Sequence, residues 1–455
     1  MSIMDFSGKH FLVIGAGISG RAASLALAGH GGSVTLNDMK AIDTAEQPWP
    51  DIKAAGVQLV FGSQETALLD GMDVVVPSPV ISPEIPIMKE AARRGLPIWS
   101  EVEVACRVTD ADMIGITGTN GKTTTTTLVG EIMKATGRQT VVGGNIGYGL
   151  STQADNLPKE AVVVAELSSF QLEFTHSIKA KAATILNITP DHLDRHHTME
   201  GYAAAKERIF LNQDKGDYAV LNYDDPRVRA MAEDMTGTVV YFSTCGEVPE
   251  GAFYQDGQLI LRLHGQDTVV CAETDLHLFG KHNIQNCLAA ILLTYAAGAP
   301  LDVIRRVLKE FKGVEHRLEK VRTIHGVTYY NDSKGTNVDA SMKALEAFPQ
   351  GHLILIAGGY DKKTPLDDFM ALAAKRVDTL ILIGDAAERF EAAAKKAGIQ
   401  DIRRTGYSME GAIMLARKIA KAPQAVLLSP ACSSFDMYDN FEQRGRVFKG
   451  IVNAI

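Results

Sequence analysis

Cysteine is scarce in this chain. Five cysteines (Cys106, Cys245, Cys271, Cys287, Cys432) are scattered over 455 residues without a CxxC pair. That excludes a disulfide framework and a cysteine-built zinc cage, and it fits free thiols in a reducing compartment. No apolar run approaches the ~18 residues a membrane span needs, and the opening MSIMDFSGKH lacks the apolar core of a secretion signal. A basic block is also missing. Lys and Arg number 46 against 54 Asp and Glu, for a net charge of -8, so there is no nucleic-acid footprint. No internal repeat or low-complexity segment interrupts the chain. The expectation is a soluble, cytoplasmic, monomeric protein without nucleic-acid or membrane partners.

What is present is alternation. Apolar strand-like runs bounded by turn residues alternate with helical patterns, which implies βαβ units and parallel sheets. The first block carries HFLVIG, SVTLND and DVVVPS. The second runs from DMIGITGTNGKTTTTTLV through AVVVAELSS and AATILNITPDH to the helix HNIQNCLAAILLTYAAGAP. The third carries VTYYND, HLILIAGG, TLILIGD and AVLLSP. We therefore expect an α/β protein of three domains, 1–100, 101–313 and 314–455, each with a largely parallel sheet: Rossmann-like, P-loop ATPase-type and Rossmann-like. Ligands of such sheets bind beyond the carboxyl ends of the strands. Gly15, Gly118, Glu166, His192, Asp332, Gly358 and Ser429 are expected at those edges.

Two glycine loops compete for phosphate. In the first, FLVIGAGISG, the strand runs into Gly15, Gly17, Ile18, Ser19 and Gly20. Backbone N–H groups at the following helix N-terminus suit a diphosphate, and Asp38, closing SVTLND, suits a ribose hydroxyl. A nicotinamide dinucleotide and some other diphosphate both satisfy this loop. The second, GITGTNGKTTTTTLV, offers Gly118, Thr119, Asn120, Gly121, Lys122, Thr123 and Thr124. Lys122 supplies a mobile positive charge for a nucleoside triphosphate and Thr123 a hydroxyl for Mg²⁺. A strict P-loop would have a glycine where Ile116 stands, so this is a shortened variant. A dehydrogenase would have no use for it.

Three further groups stand out. Glu166 ends an all-apolar strand, where a carboxylate either closes a hydrogen-bond network or meets a metal; beside a phosphate loop the metal is favoured. TPDHLDRHH holds His192, His196 and His197, with no third ligand at zinc spacing. His192 is the candidate, and His196 and His197 are expected to face solvent or cap. In EGYAAAKERIFLN, Lys206 shares one helix face with Tyr202, Ile209 and Phe210. It either snorkels or has a pKa depressed by burial, which frees a neutral amine for chemistry.

GTNGKTTT, LSSFQLE, NITPDHLDRH, the lysine helix, GKHNIQN, EHRLE, NDSKGTN and SPACSSFDMYDNFEQRG together resemble, in order and over essentially the whole chain, the Mur ligases of peptidoglycan synthesis. The C-terminal motif most resembles members that add D-glutamate. The resemblance implies an ATP-dependent amide ligase joining D-glutamate to UDP-N-acetylmuramoyl-L-alanine through an acyl phosphate. It implies that the first loop holds the UDP-substrate, with Asn145 and His192, and that NAD is not its ligand. It implies two Mg²⁺ ions, served by Thr123 and Glu166 and by His192 and Lys206, with Lys206 carbamylated by CO₂. Asn283 and Asn286 would read adenine, Arg317 would grip phosphate, Asp332 would take the ribose, and Lys334 would sit by the transferred phosphoryl group. The amino acid would meet Thr336, Lys362 (or its neighbour Lys363), Ser434, Phe435 and Phe441. Closure about a hinge near 313 would follow, since one nucleotide draws ligands from both sides.

Overall fold

A computed structural model describes residues 4–45, 47–278 and 280–455. Its strands form three sheets of four, nine and six members. The first sheet has β1 (His10–Ile14), β2 (Ser33–Asp38), β3 (Gln58–Phe61) and β4 (Val74–Pro77), all parallel, in the order β3-β2-β1-β4. The second has β5 (Asp112–Thr117), β6 (Thr140–Gly144), β7 (Val162–Glu166), β8 (Ala180–Ile185), β9 (Tyr218–Asn222), β10 (Thr238–Ser243), β11 (Gly251–Gln255), β12 (Gln258–Leu263) and β13 (Gln266–Ala272). Its order is β13-β12-β11-β10-β9-β8-β5-β7-β6, with only the two pairings at the β13 end, β13–β12 and β12–β11, antiparallel. The third has β14 (Glu319–Ile324), β15 (Val327–Asn331), β16 (Leu353–Gly358), β17 (Val377–Ile383), β18 (Ile402–Arg404) and β19 (Ala425–Leu428) in the order β14-β15-β19-β16-β17-β18, antiparallel only at the β14 edge. The α/β class with mostly parallel sheets is as the alternation implied.

Burial explains which runs became central strands. β7 reads VVVAE and every residue of it is buried, as expected for a strand covered on both faces by helices. β5 is buried from Met113 to Thr117, and β16 throughout. Side chains alternate between the faces of such a strand. Accordingly Val163 and Ala165 of β7 join one core with Leu150, Leu172, Tyr202 and Ile209.

The chain divides into two compact units. One comprises the chain up to Leu276 plus His282–Phe311, and so holds the first two sheets. The other comprises His277–Lys281 plus Lys312–Ile455 and holds the third. Among the described residues no helix is long and apolar enough to cross a membrane.

Candidate active site

The first glycine loop is held together before any ligand is considered. Gly15 sits at φ 98°, and a Cβ there would lie 2.6 Å from Ser78 Oγ. That hydroxyl in turn donates to the Gly15 carbonyl at 3.1 Å. A Cβ at Gly20 would fall 1.8 Å from the same carbonyl, so only glycine lets the helix Ile18–Gly29 start this close to the strand. Asp38 Oδ2 accepts from Ala16 N at 2.8 Å and Oδ1 from Lys40 N at 2.9 Å. The carboxylate expected at a ribose therefore has a first task in fixing the loop. Gly17, Ile18 and Ser19 lie at the accessible start of the helix, and Ile18 is 53% exposed.

The second loop leaves β5 at Thr117 and enters the helix Lys122–Ala135. Gly118 and Gly121 have φ of 149° and 85°, conformations that L side chains rarely adopt. A Cβ on Gly121 would come 2.3 Å from Asn286 Oδ1. Asn286 is buried, accepts from Thr125 Oγ1 at 3.2 Å and donates to Asn283 Oδ1 at 3.1 Å. The two asparagines of GKHNIQN thus lie against the loop. Lys122 Nζ donates to the carbonyls of Gly118 and Thr119 at 2.8 and 2.9 Å, and Asn120 N donates to Asn187 Oδ1. Thr123 and Thr124 are buried in the first turn of the helix, and the N-terminus of a helix attracts anions.

Glu166 is brought to this loop by sheet register: β7 pairs directly with β5, Ile116 opposite Glu166. Asn145 Nδ2 donates to Glu166 Oε1 at 2.9 Å, and Asn145 N to the Glu166 carbonyl. Oε2 is buried and has no hydrogen-bond partner. A buried carboxylate oxygen in that condition is costly, and a hard cation such as Mg²⁺ accepts it well. The donor set of Glu166 carboxylate and Thr123 hydroxyl fits that ion.

The lysine helix resolves the alternative left open by its spacing. Thr198 caps the helix Met199–Glu207, and a 3₁₀ turn, Arg208–Phe210, completes it. Lys206 is 1% exposed. Its Nζ donates to Gly118 O at 2.9 Å and to Thr117 Oγ1 at 3.4 Å, and lies 4.6 Å from the Tyr202 ring centre. It does not snorkel. Burial, together with the nearby charge of Lys122, holds its ammonium well below the ordinary lysine range, against a smaller opposing pull from Asp191. The Tyr202 hydroxyl reaches Thr119 Oγ1 at 3.2 Å, and the His196 ring stacks 5.4 Å from Tyr202.

His192 is half exposed at a left-handed φ of 52°, with Nε2 3.5 Å from Asp191 Oδ2 and its ring 4.7 Å from Phe170. His196 departs from expectation. It is packed between Phe170 and Tyr202 and bonded to Ser169 Oγ at 3.0 Å, because the aromatic stack beneath the helix turn offers it more contact than solvent does. Burial lowers its pKa. His197, exposed at the end of Leu193–His196, is the capping residue expected.

In the unit holding the third sheet, Asp332 follows β15 and is buried. It accepts from Ser429 Oγ at 2.7 Å and Leu318 N at 3.2 Å. Burial pushes its carboxyl up to about 6, against the pull of Arg317. Arg317 Nε is buried without a hydrogen-bond partner. Lys334 Nζ lies 5.7 Å from the Phe441 ring centre, and Lys362 Nζ donates to the Thr336 carbonyl at 3.1 Å. Lys363 instead pairs with Asp361 at 2.8 Å. Ser434 is buried, while Phe435 is 69% exposed.

Sequence reasoning passed over Arg444. Its guanidinium, 1% exposed, donates to Ser333 Oγ and O, Ser433 O and Cys432 O at 2.8–3.2 Å. It ties the loop after β15, which carries Asp332 and Lys334, to the loop after β19, which carries Ser434. Its helix, Phe441–Ala454, turns Arg444, Gly445, Phe448 and Val452 inward, but an arginine in the polar stretch NFEQRGR gives no sequence signal of that burial.

Comparison with known proteins places this arrangement. Residues 116–294 match the Mur ligase middle domain, and residues 316–432 match the Mur ligase, glutamate ligase domain. A relative from Desulfitobacterium hafniense (strain Y51), UDP-N-acetylmuramoylalanine--D-glutamate ligase, is 46% identical over 453 residues, 99% of this chain and 98% of that one. Among solved structures, a pseudomurein peptide ligase type C from Methanothermus fervidus shares the fold at TM-score 0.60 and 20% identity, over 98% of this chain and 100% of that one. A MurF ligase from Thermotoga maritima in complex with ADP does so at TM-score 0.58 and 17% identity, over 92% and 95%. The phosphate loop, the carboxylate beside it and the buried lysine behind it thus occur in a chain that belongs to the Mur ligase family.

Proposed function

We propose that the protein is an ATP-dependent ligase joining D-glutamate to UDP-N-acetylmuramoyl-L-alanine in cytoplasmic peptidoglycan precursor synthesis. The observation that carries the reading is 46% identity across 453 residues to a relative of that name. On this reading residues 1–100 bind the UDP-substrate, 101–313 bind ATP and 314–455 bind the amino acid.

The substrate carboxylate attacks the γ-phosphorus of ATP, and the bond to ADP breaks. The D-glutamate amine then attacks the acyl carbon, phosphate leaves, and the amine gives up a proton to form the amide. Thr123 and Glu166, and His192 with a carbamylated Lys206, would hold Mg²⁺, which would supply charge neutralisation at the phosphates. Lys122 adds a mobile cation at the same phosphates. The neutral Lys206 amine is the form that can take up CO₂: nitrogen bonds to carbon, a proton is released, and the base becomes an anionic oxygen donor. Asn145 orients Glu166 and, with His192, the UDP-substrate. Asn283, Asn286, Arg317 and Asp332 serve the nucleotide; Lys334 serves the phosphoryl group. Thr336, Lys362, Ser434, Phe435 and Phe441 serve the amino acid, with Lys362 favoured over Lys363 because it reaches the Thr336 loop. The family likeness to a ligase solved with ADP supports the nucleotide.

Incubation with ATP, Mg²⁺, UDP-N-acetylmuramoyl-L-alanine and isotope-labelled D-glutamate tests this. The expected product carries the label on the UDP-sugar by mass spectrometry; label recovered only as free amino acid would refute it.

A further inference from the structure

Arg195 connects two ligand edges of the same compact unit. It lies on the helix turn Leu193–His196, immediately after His192, and its side chain is 10% exposed. Nη1 donates to the carbonyls of Pro79 and Ile81, each at 3.0 Å. Nε and Nη2 both donate to Glu173 Oε2, at 3.1 and 2.8 Å. The guanidinium plane lies 4.3 Å from the centre of the Phe170 ring. A planar, forked cation is well suited to being fixed this way by carbonyls, a carboxylate and an aromatic face at once.

Both ends of this latch reach the chemistry. On one side, Ser78–Ile81 is the turn beneath the first glycine loop. Ser78 Oγ donates to Gly15 O, Ser78 N to Ile14 O, and Ile81 N to Ser78 O. A Cβ on Gly15 would touch Ser78 and Ile81, so movement of this turn moves the loop. On the other side, Phe170 carries the rings of His192 and His196, at 4.7 and 5.6 Å, and His196 leads to Tyr202 and Lys206. Helices flanking the same two sheets also meet at the other end of the helix Ile18–Gly29, where His30 Nε2 and Asp155 Oδ1, the C-caps of Ile18–Gly29 and Leu150–Ala154, are 2.7 Å apart; that contact serves as an internal control.

We infer that Arg195 is a positioning residue: it sets the distance between the first glycine loop and the His192 turn, and so the placement of the UDP-linked substrate's carboxylate against the ATP site. The inference rests on the proposed ligase reading for its substrate, and on the hydrogen-bond geometry alone for its latch.

The test compares the wild type with Arg195→Ala, Arg195→Lys, Glu173→Gln and the control His30→Gln, in steady-state kinetics and in hydrogen exchange without substrates. For Arg195→Ala the KM for UDP-N-acetylmuramoyl-L-alanine is expected to rise about tenfold or more, with those for ATP and D-glutamate within about twofold. Arg195→Lys keeps the charge without the fork and falls between. Glu173→Gln shows the same selective rise at smaller size, which decides the matter if Arg195→Ala does not fold. His30→Gln leaves all three values unchanged. Exchange is expected to quicken over residues 12–20 and 78–82 in the Arg195 variants and not in His30→Gln. An unchanged UDP-substrate KM, or three KM values rising together with a fall in thermal midpoint, would overturn the role. If the wild type itself shows no substrate-dependent turnover, the ligase reading fails, while the exchange result still decides the latch.

Discussion

Burial alone makes Lys206 unusual among the lysines of this chain. A desolvated ammonium loses more than a neutral amine does, and Lys122 adds like charge from the phosphate loop. Lys206→Ala should therefore lose turnover by about a hundredfold or more, and a short carboxylic acid supplied in the buffer should restore part of it by standing in for the carbamate. Full activity in that variant would remove the carbamate from the account. Asp332 is perturbed in the other direction. Its folded carboxyl, pushed up to about 6 by burial, binds a proton that the unfolded chain has already released at the same pH. Its ionisation therefore costs the fold stability as pH rises through 6, and nothing below the ordinary carboxylate range. Asp332→Asn should be more stable than the wild type at pH 8, by up to about 3 kcal/mol, and equal to it near pH 3, while losing nucleotide affinity. Denaturant titrations at the two pH values check the sign.

Among the elements, the loop between β5 and its helix is the most constrained. Gly121→Ala would put a methyl group 2.3 Å from Asn286 Oδ1 at a φ of 85°. The expected outcome is a loss of about 1–3 kcal/mol of stability and of ATP-dependent turnover together. Arg444→Met would leave the carbonyls of Ser333, Cys432 and Ser433 without this donor. About 3 kcal/mol of destabilisation is expected from the unfolding midpoint, together with disordering of the loops after β15 and β19.

Elements differed in how legible they were for physical reasons. β5, β7, β16 and β17 are buried over most of their length and so read as largely apolar runs. β3, β6 and β18 are short or only partly buried, and the excursion β10–β13 mixes polar and apolar residues, so none of them was named from sequence. Site residues followed the same division. Lys206 was visible because helical spacing set a charge among apolar neighbours, and Glu166 because it ends an apolar strand. Arg195 and Arg444 were not, since one arginine in a polar stretch carries no periodicity. Their meaning comes from the backbone carbonyls that the fold brings to them.

At the scale of the whole molecule, the first sheet bears on the ambiguity of the first glycine loop. A dinucleotide fold of the dehydrogenase type has two mononucleotide halves and a six-stranded order; here the sheet stops at four strands, β3-β2-β1-β4. It supplies one helix N-terminus for one diphosphate, while a second phosphate loop with a carboxylate and a buried lysine stands in the same compact unit. A two-substrate ligase uses both loops at once; a dehydrogenase uses one. The most direct measurement is phosphate release from ATP and Mg²⁺ with UDP-N-acetylmuramoyl-L-alanine, adding D-glutamate, L-glutamate, L-lysine or D-alanine in turn. The account predicts release that requires both the UDP-substrate and D-glutamate. Release indifferent to the amino acid, or none with any of the four, would contradict it.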